Sequence, residues 1–290
     1  MRRSPLVLIP VAAAMLLAAC GSSTSPSSSP TASSTTSASA TCTPASLQTL
    51  TPGKFTVATG NPAYSPWVID DKPESGKGFE SAVTYAVAKK LGYADSDVVW
   101  IRTGFDEAIA PGPKKFDVNI QQFSISEDRK KAVDFSSGYY DLTQAVVTYK
   151  GSPIEKAASL AALKNAKLGA AVGTTSLDAI NASIQPTTAP KVYNNNDDAV
   201  AALKAKQIDG LVVDLPTAFY IAFGELSNGV LIGQLPNSAN DKEQLGFLLA
   251  KGSPLTQCVT QAVDALRADG TLAQLQDQWL AASAGAPVLS

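Results

Sequence analysis

Short apolar runs alternate along the chain with stretches whose apolar positions recur at helical spacing. Lys54–Gly60 (KFTVATG) reads as a strand. In Gly78–Gly92 (GFESAVTYAVAKKLG), Phe79, Val83, Ala86, Val87 and Leu91 share one helical face, and Gly92 is a stop signal. Val98–Gly104 (VVWIRTG) and Phe116–Phe123 (FDVNIQQF) predict two further strands, and Gln144–Lys150 (QAVVTYK) an extended crossing segment. The theme then restarts. Ala166–Gly173 is a strand leading into a helix over TTSLDAINASI; KVYN is a strand; NNDDAVAALKAKQ is a helix with Asn and Asp where they cap it and complement its dipole. Ile208–Asp214 is a strand with Pro216 near the first turn of the helix after it. LGFLLAK and a long amphipathic helix pair, from Pro254 to Ala282, close the series. Two successive blocks of strand–helix alternation predict an α/β fold with mostly parallel sheets in two lobes.

The first fifty residues follow other rules. Arg2 and Arg3 precede an uncharged apolar stretch, SPLVLIPVAAAMLLAAC. A charged start, a short apolar run and small residues at the end read as an export signal over residues 1–19, shorter than the ~20 apolar residues of a spanning helix. Its last part, Leu17-Ala18-Ala19-Cys20-Gly21, resembles the lipobox of bacterial lipoproteins. That resemblance implies cleavage before Cys20 and diacylglycerol on its sulfur, and two or more acyl chains hold a protein stably to a membrane. From Gly21 to about Ala45 nearly every residue is Ser, Thr, Ala or Pro. With nothing to bury, such a stretch cannot offset its ordering entropy, so residues 20–50 are expected to be a flexible tether.

Composition narrows the chemistry. The 23 Lys and Arg against 25 Asp and Glu leave a net charge of −2, which falls to −4 without Arg2 and Arg3. No basic excess favours nucleic acid. The absence of any histidine excludes Ser-His-Asp and Cys-His nucleophiles and histidine metal sites. Of three cysteines, Cys42 and Cys258 remain if Cys20 carries lipid; an even pair outside the cytoplasm favours a disulfide over two free thiols.

In open parallel sheets, ligands sit beyond the carboxyl ends of strands. Those ends carry Asn61, Gln121 to Ser124, Gly173 to Ser176, and Asp214. In "SISEDRKKAVDFSSGYY", Ser126 stands at a helix N-cap, with Arg129 one turn in. Arg129, Lys130 and Lys131 either form a solvated face or offer one guanidinium to a carboxylate, which it can bind bidentately. Thr174 and Thr175 either cap the helix after Gly173 or frame an anion at its N-terminus. Asp214 either caps the helix holding Pro216 or meets an ammonium group. Tyr64 and Trp67 in NPAYSPW, and Phe105, supply aromatic faces for a ligand or for the core.

Together these pieces resemble the polar amino-acid-binding solute receptors of ABC transporters, the family 3 extracellular binding proteins. GKFTVATGNPAYSPW, GFESAVTYAVAKKLG, FDVNIQQFSISEDRKKAVDFSSGYY, LGAAVGTTSLDAI, DDAVAALKAKQIDGLVVD and LRADGTLAQLQDQW occur in the family's order, and the third is the most specific. The resemblance covers about residues 53–280. It implies a two-lobed, type II periplasmic-binding-protein-like fold, with residues 51–147 plus 237–282 in lobe 1, 148–236 in lobe 2, and two crossing segments as hinge. Arg129 matches the carboxylate-binding arginine and Asp214 the acid that pairs with the α-ammonium. Ser124, beside the Gln122 backbone, matches the hydroxyl residue at the α-groups, and Thr175 the residue at the second-lobe helix start. Tyr64 and Phe105 match aromatics on the ligand side chain.

Two departures qualify the match. Asn61 stands where receptors for cationic amino acids commonly carry Asp, and APGPKKFD replaces a usual helical stretch, so a short helix is expected after Phe105. Gln121 and Gln122 replace smaller residues, pointing to a polar, not strongly cationic ligand. The expectation is a lipid-anchored monomer on the outer face of the cytoplasmic membrane. It binds a free amino acid, delivers it to a membrane permease, and needs no cofactor. The rival is a prephenate or arogenate dehydratase on the same scaffold, for which Asp214 or Glu127 would have to act as the acid.

Overall fold

The computed structural model describes residues 42–237, 242–283 and 285–290; the export signal, Cys20 and the tether through residue 41 lie outside the described residues. In chain order the elements begin with β1 (Phe55–Thr59), α1 (Phe79–Lys90), β2 (Val98–Arg102), α2 (Phe105–Ile109), β3 (Val118–Asn119), α3 (Glu127–Lys130) and β4 (Val133–Leu142). The second series comprises β5 (Gln144–Tyr149), β6 (Leu168–Ala171), α4 (Thr175–Ala179), β7 (Lys191–Tyr193), α5 (Asn196–Lys204), β8 (Gly210–Asp214), α6 (Leu215–Tyr220) and β9 (Gly229–Gln234). The chain ends with β10 (Glu243–Ala250), α7 (Thr256–Ala268) and α8 (Thr271–Leu280).

Two five-stranded sheets result, ordered β2-β1-β3-β10-β4 and β7-β6-β8-β5-β9. β1 is buried along its whole length, as is β8, which fits their mainly apolar character as strands covered on both faces. The first sheet packs α1, α7 and α8 around Phe55, Val57, Phe79, Val83, Val87, Phe247 and Val263. The second is filled on one side by Val147, Leu203, Val213 and Ala218 and on the other by Val146, Leu168, Ile180 and Val212.

The sheets are not mostly parallel. β1 runs parallel to β2 and β3, and β6 to β7 and β8, but β10 is antiparallel to β3 and β4, and β5 to β8 and β9. The antiparallel strands are those on which the chain enters or leaves a sheet, and their direction is set by the partner sheet rather than by a local βα repeat. For the same reason the ten-residue β4 and the strand β9 escape a reading based on strand–helix alternation. The strand expected over Phe116–Phe123 shortens to β3, because Gln122 turns into the left-handed region at φ 50°. The helix expected over Thr174–Ile184 is α4 followed by a wider π turn, Ile180–Ile184.

The chain passes from the first sheet to the second at Thr143, between β4 and β5, so β5 belongs wholly to the second sheet. It returns between Gln234 and Glu243. A third strand of chain reaches the second sheet after α8. The Gln234 N–H donates to the Pro287 carbonyl (2.7 Å), the Leu289 N–H to the Gln234 carbonyl (2.8 Å), and Leu289 is buried in the second core.

Residues 42–50, read from composition as the end of the tether, are pinned to the body. Cys42 is disulfide-bonded to Cys258 on α7, with Cα atoms 5.5 Å apart. Leu47 packs on the first core, and the Leu50 N–H donates to Asp117 (2.7 Å). The bond closes a loop spanning 216 residues of sequence, long enough to restrict the unfolded chain strongly. Replacing both cysteines with serine is therefore expected to lower the unfolding free energy by about 2–5 kcal/mol, read from denaturant unfolding monitored by circular dichroism. An unchanged midpoint would mean that Leu47 and Leu50 carry the docking alone.

Candidate functional site

Nearly all the chemically interesting loops converge on one cavity of about 240 Å³, at the small end of sites for organic ligands. From the first sheet come Asn61 and Tyr64 after β1, Phe105 at the start of α2, Gln121, Gln122 and Ser124 after β3, and Arg129 on α3. From the second come Thr174 to Ser176 at the start of α4, Asn194 to Asn196 at the start of α5, and Asp214 at the end of β8. Asn61, Tyr64, Phe105, Gln122, Ser124, Arg129, Thr174, Thr175 and Asp214 were all singled out from sequence, and all line it.

Arg129 is held from several sides. Ser126 caps α3 by accepting from the Arg129 N–H, which fixes the backbone. The guanidinium donates to the Ser124 carbonyl (2.8 Å) and, across the cavity, to the Gly173 carbonyl (2.9 Å). It lies 5.3 Å from the centre of the Phe105 ring, a cation–π contact. Phe105 in turn stacks on Phe123 at 4.8 Å. Lys130 and Lys131 instead pair with Glu127 and Asp128 on the exposed side of α3, so the basic run divides into one cavity residue and two solvated ones. Burial works against the Arg129 charge, while Glu243 and Asp178 support it.

Thr174 and Thr175 have different tasks. Thr174 caps α4, accepting from the Leu177 N–H (3.4 Å). Thr175 faces the Ser124 hydroxyl at 3.1 Å, a second contact between the sheets. Asp214 caps α6, its Oδ1 accepting the Thr217 N–H at 2.8 Å, and the residue also lines the cavity. The Thr217 hydroxyl also meets Asp214, and it accepts the indole N–H of Trp67 at 2.8 Å. Trp67, considered as a cleft aromatic alongside Tyr64, is buried in the first core and reaches the site only through that bond.

Several residues escaped sequence reasoning. Glu243 on β10 accepts from the Ser124 hydroxyl (2.5 Å) and the Gln144 amide (3.0 Å). Gln144 also accepts from Ser176 (2.7 Å). No local signal could mark Glu243, which meets Ser124 only because β10 is laid beside it. Asn194 was read as the end of a strand and Asn195 and Asn196 as capping residues; Asn195 does cap α5, yet all three line the cavity. Glu80, in the first turn of α1, has no exposure and accepts from the Gln122 N–H (2.8 Å), the Gln122 side-chain amide and the Tyr139 hydroxyl. An acid in the first turn of a helix is ordinarily a partner of the helix dipole, so its sequence position carries no signal of this burial. Glu127, weighed as a dehydratase acid, has its side chain 87% exposed and paired with Lys130.

Residues 56–282 match the family model of bacterial extracellular solute-binding proteins, family 3. The L-arginine-binding protein of Pseudomonas aeruginosa is 27% identical over 223 residues, covering 75% of this chain and 84% of its own length. An ancestral arginine-binding protein, solved bound to glutamine, has a TM-score of 0.65 at 29% identity, over 79% of this chain and 99% of that one. An ancestral amino acid-binding protein described as a precursor of cyclohexadienyl dehydratase has a TM-score of 0.63 at 29% identity, over 78% of this chain and 95% of that one.

Two buried acids dominate the electrostatics. Burial pushes Asp214 up to about 6, opposed by its Thr217 bonds and reinforced by the Glu243 charge. Burial pushes Glu80 up to about 7, opposed by Tyr139 and Gln122 and reinforced by Asp214. A carboxyl group whose folded value is raised lets the folded state hold protons that the unfolded state has already lost. The resulting stability is present at low pH and fades as pH rises through the folded value. In the absence of added ligand, the protein is thus expected to lose stability steadily between about pH 4 and pH 7. Urea midpoints across that range check this; a rising midpoint would contradict it.

Proposed function

We propose that this chain, which belongs to the bacterial extracellular solute-binding proteins of family 3, captures a free amino acid outside the cytoplasm and hands it to an ABC-transporter permease. One observation carries the reading. Among the described residues that line the cavity, Arg129 and Asp214 are the only charged side chains; Arg129 stands on α3 beside the first sheet and Asp214 at the end of β8 in the second. A single cation and a single anion facing one small space complement a zwitterion: the guanidinium takes the carboxylate and Asp214 takes the ammonium. A ligand bonded at both ends would draw the two sheets together, a hinge closure.

The rest of the lining bears on the side chain. Asn61, Gln121, Gln122, Gln144 and Asn194 to Asn196 contribute amides but no further acid. A cationic side chain would enter without a counter-charge, whereas a neutral polar one would find both donors and acceptors. Gln121 Oε1 is buried without a hydrogen-bond partner among the described residues, an acceptor suited to a ligand N–H. Tyr64 and Phe105 would cover the aliphatic part. Analogues lacking either α-charge would leave a buried polar group unpaired and be rejected strongly.

A thermal-shift screen of the twenty amino acids is the direct test. A neutral polar amino acid at a hundredfold excess over Kd should stabilise the protein by ~2.7 kcal/mol. Asp214→Asn keeps a good capping residue on α6 but removes the charge, and Arg129→Ala removes the opposite one. Each is expected to cost about 2–5 kcal/mol of affinity by calorimetry with the thermal transition intact. Wild-type affinity in either variant, or turnover of prephenate by the purified protein, would overturn the reading.

We also place the protein on the membrane through diacylglycerol on Cys20, on the strength of the ordered Leu17-Ala18-Ala19-Cys20-Gly21 sequence. Cys20→Ser should shift the protein from the membrane fraction to the supernatant. Mass spectrometry of the wild-type N-terminus should find the modified cysteine, and an unmodified one would rule out the anchor.

A further inference from the structure

Glu80 lies just behind the cavity wall and takes no place in the recognition scheme above. It is fully buried at the start of α1 and pairs with no lysine or arginine among the described residues. Such a carboxyl group is expensive to keep unless it serves something. Its bonds show what it serves. Oε1 accepts the backbone N–H of Gln122 at 2.8 Å and the Tyr139 hydroxyl, and Oε2 accepts the Gln122 side-chain amide. Gln122 needs holding: its φ of 50° puts a residue with a Cβ into the left-handed region, which is unfavourable without support. The strain sits two residues before Ser124 and directly on the cavity lining.

The groups around Glu80 define its electrostatic setting. Tyr139 faces it from β4, Gln122 from the loop after β3, and Asp214 from the end of β8. Asp214 in turn feels Glu243 on β10, and Tyr140 on β4 feels Asp214. Arg129 feels Glu243 from α3. Glu80 and Asp214 therefore stand as two mutually repelling acids behind and beside one end of the cavity. The Asp214 charge raises Glu80, so a cation placed against Asp214 would favour ionisation of Glu80 as well as of Asp214.

We propose that Glu80 is a positioning residue that clamps Gln122 in its left-handed turn and couples capture of the ligand's ammonium group to release of a proton from the Glu80–Asp214 pair into solvent. The proposal rests on the reading of Asp214 as the ammonium-binding acid and adds to it a second acid and a pH dependence. The ligand enters as a zwitterion and keeps its own protons. The proton lost comes from the acid pair, whose ionised form the ammonium stabilises. Burial raises both acids towards neutrality, which places the coupling near neutral pH rather than near pH 4.

Isothermal titration of the purified full chain with each amino acid that binds, from pH 5.5 to 8.5 in buffers of different ionisation enthalpy, tests this. The expected wild-type result is proton release in the lower half of that range. Affinity should strengthen by up to about tenfold per pH unit there and level off above it. Glu80→Gln retains the side-chain shape and should weaken binding at pH 8 while abolishing most of the release near neutrality, leaving a smaller step at lower pH from Asp214. Should Glu80→Gln not fold, Tyr139→Phe removes one donor to Glu80 and should move the midpoint of release upward. Buffer-independent enthalpies with a flat affinity profile in the wild type would overturn the proposal while leaving amino-acid binding intact. So would an unaltered profile in Glu80→Gln or, where that variant does not fold, in Tyr139→Phe. Failure of every amino acid to bind would remove the underlying reading and the proposal with it.

Discussion

A carboxylate removed from water must neutralise, find donors or meet a cation, and the arrangement of this molecule follows from placing Asp214 under that constraint. The side chain sits at the end of a strand buried along its whole length. Its donors come from α6 of the same lobe, and the hydroxyl that helps satisfy it is itself bonded by Trp67 from the other. One buried acid thus ties the start of a second-sheet helix to the core of the first sheet. The same residue lines the cavity.

The bonds between the lobes are few and polar. Arg129 to the Gly173 carbonyl, Ser124 to Thr175, and Trp67 to Thr217 each join a first-sheet residue to a second-sheet one. Net hydrogen bonds contribute only about 1 kcal/mol apiece, so these contacts orient the two halves without locking them as a shared apolar core would. Covalent continuity does more: the chain crosses at Thr143 and again between Gln234 and Glu243, and the final residues return to β9. That last attachment adds a third link, and Leu289 fastens it by burial in the second core.

The cavity lining divides between a charge pair and a field of neutral groups. Arg129 is positioned by carbonyls and an aromatic ring, with no acid within ion-pairing distance among the described residues. Glu243 lies close enough to support that charge but is already occupied by Ser124 and Gln144. The amides from Asn61, Gln121 and Asn194 to Asn196 are suited to shape and hydrogen bonding rather than to net charge.

Local pattern was enough for the central strands, the long helices and their caps, because burial on both faces, helical spacing and Ser, Thr or Asn before a helix are properties of neighbouring residues. β1, α1, α5, α7 and α8 were legible in this way, and the strand ends pointed to Asp214, Ser124 and Thr175, whereas Arg129 came from the helix after Ser126 and from the family resemblance. Cys42 and Cys258 were pairable from compartment and parity alone. What depended on tertiary structure was everything created by chain crossing. The antiparallel roles of β5 and β10, the existence of β4 and β9 as strands, and the meeting of Glu243 with Ser124 arise from contacts between segments far apart in sequence. Trp67 and Glu80 show the same limit at single positions: local rules left Trp67 open between cleft and core, and an acid in a helix's first turn looks solvent-facing. Only the packing of α1 against Gln122 and Tyr139, and of the Trp67 loop against α6, put them inside, because burial is decided by what the rest of the chain brings to cover a residue.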